Sequence, residues 1–254
     1  MSMTSARGIA RRVATPTSPA TSRSARRARR PMLRLLPRRL ASGERVEVVV
    51  SAYREDLAWL RPLVRRHLAG ADVEVTVYSK HPDTAALDGV ASVALPNVGR
   101  CEHTYLHHVV TRWDRLADTT LFLPGTANAR WWNRLALRHV LLPRLGAIED
   151  FAAGAVRPLT AADRRLALDV HRAGHGSVVP ARVRPFAAWW GANFPGRPLP
   201  RATAIGGVFA ARRSALHRVP LSLWRALLVQ HAAGDDVEVG HYMERSWYGL
   251  LRPS

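Results

Sequence analysis

Val46-Glu-Val-Val-Val-Ser51 is followed by the polar loop Tyr53-Arg-Glu-Asp56 and then by Leu57–Leu68, whose apolar residues recur at helical spacing. A β-branched run of this kind reads as a strand, and the succession as strand, loop and helix. The pattern repeats downstream. Val73-Glu-Val-Thr-Val-Tyr-Ser79 carries the same signature before the turn-rich Lys80-His-Pro-Asp83, and Ala91-Ser-Val-Ala-Leu95 is a short third strand before the loop Pro96-Asn-Val-Gly-Arg100. Glu102–Leu116 reads as an amphipathic helix with Leu106, Val109, Val110, Trp113 and Leu116 on one side, and Thr119-Thr-Leu-Phe-Leu123 as a fourth strand entering Pro124-Gly-Thr-Ala-Asn128. Strands alternating with helices predict an α/β sheet flanked by helices on both faces. The loops at 51–56, 79–83, 96–102 and 124–128 should then share the carboxyl edge, where such sheets bind ligands.

Beyond residue 130 the spacing predicts a helix containing Trp131 and Trp132 to about Leu142, a polar middle around Thr160–Arg172, and a Pro/Gly/Trp-rich excursion from Pro180 to Pro200. Ile205-Gly-Gly-Val-Phe-Ala-Ala-Arg212 reads as a strand opening into a helix near Ser214–His217. Helices at Leu221–His231 and around Val237–Leu251 close the chain.

The chain has 254 residues, with 38 Lys+Arg against 19 Asp+Glu and a formal net charge of +19. Residues 1–45 hold 12 Arg and one acid, Glu44, so +11 of that charge precedes the first strand. Residues 1–44 are expected to be a disordered Arg-rich tail and residues 45–254 a single α/β domain, because the tail has no continuous apolar pattern. An Arg-rich arm can contact nucleic acid, anionic lipid or acidic protein. Lys80 is the only lysine, a bias that GC-rich coding explains as readily as phosphate binding, and no nucleic-acid-binding motif accompanies the charge, so no specific nucleic-acid partner is expected. One cysteine, Cys101, excludes a disulfide framework and a cysteine-based metal cluster. No apolar run approaches the roughly 20 residues that span a bilayer, and no secretory signal is read, so a cytoplasmic location is expected.

Three groups carry chemistry. His103 and His107 are four apart on a helix with His108 beside them, a spacing that metal sites use, but a third ligand and the general-base Glu of a zincin helix are missing; packing or substrate-facing roles are preferred, and no metal motif is assigned. His171 and His175 share the spacing in a polar, Gly-flanked stretch and read as surface residues. The Asn97-Val-Gly99-Arg100 loop at a helix start can hold an anion on backbone N–H groups and a guanidinium. Asp235, Asp236, Glu238 and Glu244 follow the Gly206-Gly207 turn in a chain short of carboxylates; such acids can deprotonate a hydroxyl, pair with arginines, or sit at a helix N-terminus.

Read together, Val48-Val-Val-Ser-Ala-Tyr-Arg-Glu-Asp-Leu-Ala-Trp-Leu60, Leu95-Pro-Asn-Val-Gly-Arg-Cys-Glu-His-Thr-Tyr-Leu-His-His108, Leu121-Phe-Leu-Pro-Gly125, Gly206-Gly-Val-Phe-Ala-Ala-Arg212 and Glu244-Arg-Ser-Trp247 resemble the bacterial and fungal domain of unknown function 3431. The resemblance covers roughly residues 46–251 in order. That family's layout resembles glycosyltransferases of the GT-A type, which implies a Rossmann-like, mixed sheet with a nucleotide-binding half followed by an acceptor half. The resemblance implies ligand-binding roles for Ser51, Tyr53, Glu55, Asn97, Gly99, Arg100, His103, Tyr105, Gly206, Gly207 and Trp247, and catalytic roles among Asp236, Glu238 and Glu244, with Asp236 or Glu244 as base. It implies a nucleotide-sugar donor and a hydroxyl acceptor as partners. Where GT-A enzymes carry a metal-binding Asp-x-Asp, this chain reads Leu123-Pro-Gly-Thr-Ala-Asn128, so a diphosphate would be offset by Arg100, Arg130 or a helix N-terminus, and the cofactor is left open. The family carries a Glu where Cys101 stands. The alternative is a non-catalytic carbohydrate- or anion-binding module on the same fold, using Arg100, His103 and the tryptophans Trp131, Trp132, Trp189 and Trp190.

Overall fold

The first strand, β1 (Arg45–Ala52), is buried along its length after Arg45 and lies between two parallel neighbours, β2 (Asp72–Ser79) and β4 (Thr119–Pro124); β3 (Ala91–Ala94) extends the sheet beyond β2. The valines explain the position: Val46, Val48 and Val50 pack on one face and Val49 on the other, which suits a strand covered on both sides. A six-stranded mixed sheet results, in the order β3-β2-β1-β4-β8-β5, with β5 (Phe151–Ala153) and β8 (Phe209–Arg212) paired antiparallel and β8 antiparallel to β4. A separate antiparallel pair joins β6 (Val156–Pro158) to β7 (Ala202–Ala204). The helices are α1 (Leu60–His67), α2 (Arg100–Thr111), α3 (Trp131–Leu135), α4 (Ala161–Arg164), α5 (Phe186–Asn193), α6 (Arg213–His217), α7 (Leu221–Gln230) and α8 (Glu238–Leu251). This computed structural model describes residue 40 and residues 43–84, 86–168 and 178–252, all within the unit Leu36–Ser254. The expectations for the tail to residue 39 and for His171 and His175 fall outside the described residues. No helix among the described residues is long and apolar enough to cross a membrane.

Each face of the sheet has its own core. On one, Leu57, Leu60 and Leu63 join Leu137, Leu141 and Leu145 over Val46, Val48 and Val50. On the other, α2, α5, α7 and α8 bring Tyr105, Trp189, Trp224 and Trp247 against Phe122 and Phe209. Trp247 is fully buried, with ring centroids 4.9 Å from Phe209 and 5.8 Å from Trp224.

The structure departs from the sequence reading in the second half. The strand expected from Ile205 begins only at Phe209, because Gly206 and Gly207 take φ of +83° and +65° and turn the chain first. The Trp131 helix changes to a wider turn over Ala136–Leu141 and a tighter one over Leu142–Ala147, where Pro143 ends regular hydrogen bonding. The Pro/Gly/Trp-rich excursion holds α5, and among the described residues between 150 and 205 there are three short strands.

Within the α2 face, Glu47 of β1 is buried. Its carboxylate accepts from Thr76 Oγ1 at 3.1 Å and lies 3.1 Å from His108 Nε2, while Tyr78 Oη meets His108 Nδ1 at 3.0 Å and Arg112 approaches from the edge at 3.8 Å. Burial pushes the carboxyl up, but His108, Arg112 and Thr76 together outweigh it and hold Glu47 below its ordinary 4.5. A depressed folded-state pKa contributes stability that is complete above 4.5 and lost as pH falls below it. Glu47→Gln should therefore destabilise the chain at pH 7 by about 1–3 kcal/mol, and the gap from wild type should close between pH 5 and 3. Urea midpoints across that range measure it; a gap that stays constant with pH would show that Glu47 is not held ionised by its neighbours.

Candidate functional site

The register of the parallel strands brings their carboxyl ends level: Ser51 faces Tyr78 on one side and Pro124 on the other, and Ser79 faces Ala94. The strand order also reverses here, since the chain runs outward from β1 to β2 and β3 and then returns to β4 on β1's other flank. A crevice opens at such a switch point. It holds a cavity of about 340 Å³ whose lining comes from the loops after β1, β2, β3 and β4, from α3, and from the Gly206-Gly207 turn and α8. The four loops foreseen along one edge thus meet.

The loop after β1 is closed by its own carboxylate: Glu55 Oε2 accepts from the N–H of Tyr53 at 2.6 Å and of Arg54 at 3.2 Å. The loop after β3 is held more tightly. Gly99 has a φ of +59°, and a Cβ there would come within 2.5 Å of the His231 carbonyl and 2.7 Å of His103 Cβ, so only glycine fits. Arg100 follows at +54°, unusual for a side chain of its size. Lys80 braces this pair of residues from below, its Nζ donating to the Val98 carbonyl at 2.5 Å and also to that of Arg100. Burial pulls the Lys80 amine down to about 8, against the opposing pull of Cys101, Glu102 and Asp235.

The lining also carries acids. Glu244 Oε1 accepts from the Gly206 N–H at 2.9 Å, while Oε2 lies 3.9 Å from Arg245. Glu102 is buried beside Cys101, whose thiol donates to Glu102 Oε2 at 3.3 Å. Burial, with the charge of Glu244, pushes the Glu102 carboxyl up, and burial next to Glu102 pushes the Cys101 thiol far up, so the thiol is neutral. Asn133, Arg130, Thr126 and Asp235 complete a lining in which both charge signs are present. The arrangement can bind a polar, anionic group on its arginines and offers carboxylates as proton acceptors.

Of the residues expected to serve the site, Ser51, Tyr53, Glu55, Asn97, Arg100, Gly206, Gly207 and Glu244 line the pocket. Gly99 lies behind the loop against His231. His103 is buried one turn into α2 with Nδ1 lacking a hydrogen-bond partner, its pKa lowered to about 4 by burial and by the nearby Lys80 charge. His107 stacks on it, ring centroids 6.2 Å apart, and among the described residues no group of three or more His, Cys, Asp or Glu is placed to hold a metal ion. Tyr105 is fully buried and donates to the Gly207 carbonyl at 2.9 Å; Trp247 lies in the core. Asp236 Oδ1 is 3.2 Å from His241 Nε2, which is 2.8 Å from the Arg100 guanidinium. Glu238 is fully enclosed away from the pocket, accepting from the N–H of Leu168 at 2.6 Å and of Ala181 at 2.8 Å and pairing with Arg184 at 2.8 Å. Asp235, from the acidic group singled out in the sequence, lines the pocket, whereas Asn133 and Thr126 were not assigned to the site. Asn133 left a signal: a small amide on the inward face of an otherwise apolar and cationic helix.

The family described as a protein of unknown function, DUF3431, matches residues 48–253. No curated protein matches the chain.

Because the chain has one lysine, a ¹⁵Nζ label reports a single site. The Lys80 resonance should titrate with a midpoint near 8. A midpoint at the ordinary 10.5 would mean that the amine is solvated rather than enclosed beneath the loop.

Proposed function

This chain belongs to the DUF3431 family, and we propose that its pocket binds a nucleotide sugar and transfers the sugar to a hydroxyl acceptor. The supporting observation is a switch-point crevice whose lining holds two arginines, Arg100 and Arg130, together with the carboxylate of Glu244. Its layout resembles the GT-A arrangement: a nucleotide-binding half over β1–β4, then an acceptor half running from the glycine turn to α8. The resemblance extends to chemistry only in part, since Pro124-Gly-Thr-Ala-Asn128 follows the fourth strand without a carboxylate.

In the proposed reaction the diphosphate lies against Arg100 and Arg130, whose guanidinium groups accept its charge in bidentate geometry. The acceptor oxygen attacks the anomeric carbon, its proton passes to a Glu244 carboxylate oxygen, the bond from the anomeric carbon to the phosphate oxygen breaks, and the nucleoside diphosphate leaves. Glu244 suits the base because it lines the cavity with one oxygen fixed by the Gly206 N–H. Asp236 is engaged by His241 and lies 4.0 Å from Arg100, and Glu238 is enclosed by Arg184 and two amides. Glu102, its carboxyl pushed up by burial, also lines the cavity.

A matching nucleotide sugar at a hundred times its Kd stabilises the folded chain by about 2.7 kcal/mol, a rise in melting temperature of about 5–10 °C. Arg100→Ala and Arg130→Ala should each weaken binding by about tenfold or more, and Glu244→Gln should leave binding intact while lowering turnover by about 10²–10⁴. A panel of nucleotides and nucleotide sugars, with and without manganese, reads the first effect. No shift at millimolar ligand would overturn the donor; binding without turnover in wild type would make the pocket a binding module; turnover indifferent to Glu244→Gln would remove the base.

A further inference from the structure

The pocket mouth has a rim that the chemistry inside does not use. Of eight tryptophans, two are exposed, Trp131 at 61% and Trp132 at 47%, and they stand between the pocket-lining Arg130 and Asn133. Leu135, in the same helix, is exposed too, and so are Tyr53, itself a lining residue, and Ile205, next to Gly206. The stretch from Asn128 to Ile148 contains Arg130, Arg134, Arg138 and Arg144 and no acid. Helical spacing sets Trp131 and Leu135 in one row of α3, with Arg134 beside them and Arg130 immediately before the helix.

A cluster of exposed tryptophan and leucine flanked only by arginine is unfavourable in water and suited to the boundary between headgroups and acyl chains, where the rings bury their apolar bodies and guanidinium groups meet lipid phosphates. We propose that this rim docks the pocket mouth onto an anionic lipid surface, Trp131, Trp132 and Leu135 entering the interface and Arg134 contacting headgroups, so that the pocket faces a ligand carried by the membrane. The charge decides against a glycan platform. A neutral sugar gives these arginines no partner, and the Trp132 ring already carries the Arg130 guanidinium 5.7 Å from its centroid, with the Trp131 ring edge-on at 5.9 Å. Sequence adds a second attraction, the 12 arginines of residues 1–45, and stable association takes two such signals. The docking surface stands apart from whichever chemistry the pocket performs.

The full-length chain is sedimented with vesicles of phosphatidylcholine alone or mixed with phosphatidylglycerol, and its tryptophan fluorescence is read against lipids brominated in the acyl chains. Wild type should sediment with the mixed vesicles and be quenched. Trp131→Ser/Trp132→Ser, with an unchanged circular dichroism spectrum, should bind about tenfold more weakly and lose the quenching; Arg134→Ala should bind about fivefold more weakly. Quenching separates the rim from the N-terminal arginines, which hold the chain at the surface without inserting a ring. Wild type that binds unquenched, wild type that does not bind, or a double variant that binds and quenches like wild type would each overturn the proposal. So would a fluorescence change that soluble oligosaccharides produce at Trp131 and Trp132 in a chain that ignores vesicles.

Discussion

One buried ammonium shapes the pocket. Lys80 reaches from the end of β2 to the carbonyls of Val98 and Arg100, and through them fixes the turn that starts α2. That turn needs support. Two consecutive residues hold positive φ, the second of them an arginine, a conformation that costs on the order of 1–3 kcal/mol where the side chain is large. Lys80 adds a donor to the carbonyls of Val98 and Arg100, and the N–H of Gly99 is taken by Gly234 at 2.7 Å. Lys80 loses hydration in exchange, which is why its amine is depressed, yet two carbonyl dipoles and the acids beyond them keep it a donor. With the turn fixed, the half-exposed Arg100 side chain meets His241 and lines the pocket.

The same enclosure sorts the remaining ionisable groups. Where a side chain is buried with a cation, as Glu47 is with Arg112 nearby, its carboxyl is held low; where it is buried beside another acid, as Glu102 is, its carboxyl rises. Both lie along the α2 face of one sheet. The pocket therefore has one carboxyl, Glu102, that burial pushes up, and another, Glu244, with an oxygen fixed by a backbone amide.

The first half of the fold was legible because its strands carry long β-branched runs and its helices an apolar stripe: Val46–Val50, Val73–Val77 and Leu121–Leu123 each bury enough surface to declare themselves. The second half was not. Strands β5, β6 and β7 have three residues each and exist through pairing with distant partners, Phe151 opposite Ala211 and Val156 opposite Ala204, which no local pattern encodes. Helix α5 lies among prolines and is held by Trp189 and Trp190 in the core, so tertiary packing overrides a loop-like composition. In the site, the loops could be placed by topology alone, which brought Ser51, Asn97 and Arg100 together. Tyr105 and Trp247 were expected at the ligand and are core residues, because an aromatic on a buried helix face looks the same in sequence whether it meets a ligand or Phe209.

Helix α8 explains why the acids near the C-terminus part company. Glu238, His241 and Arg245 recur at helical spacing and form one stripe, while Tyr242, Met243, Trp247 and Leu250 are buried in the core. Along the stripe, Glu238 receives the backbone of Leu168 and Ala181, His241 meets Asp236 and Arg100, and Arg245 donates to Asp163 at 3.0 Å, a carboxylate that Arg157 also holds far below its ordinary range. The stripe is joinery: it fastens the long excursion between β4 and β8 to the body. Glu244 sits one position before Arg245, about 100° around the helix axis, and that offset turns its carboxylate from the seam toward the Gly206 amide and the cavity. The rotation of a single helical step thus separates an acid available to a ligand from those committed to holding the fold.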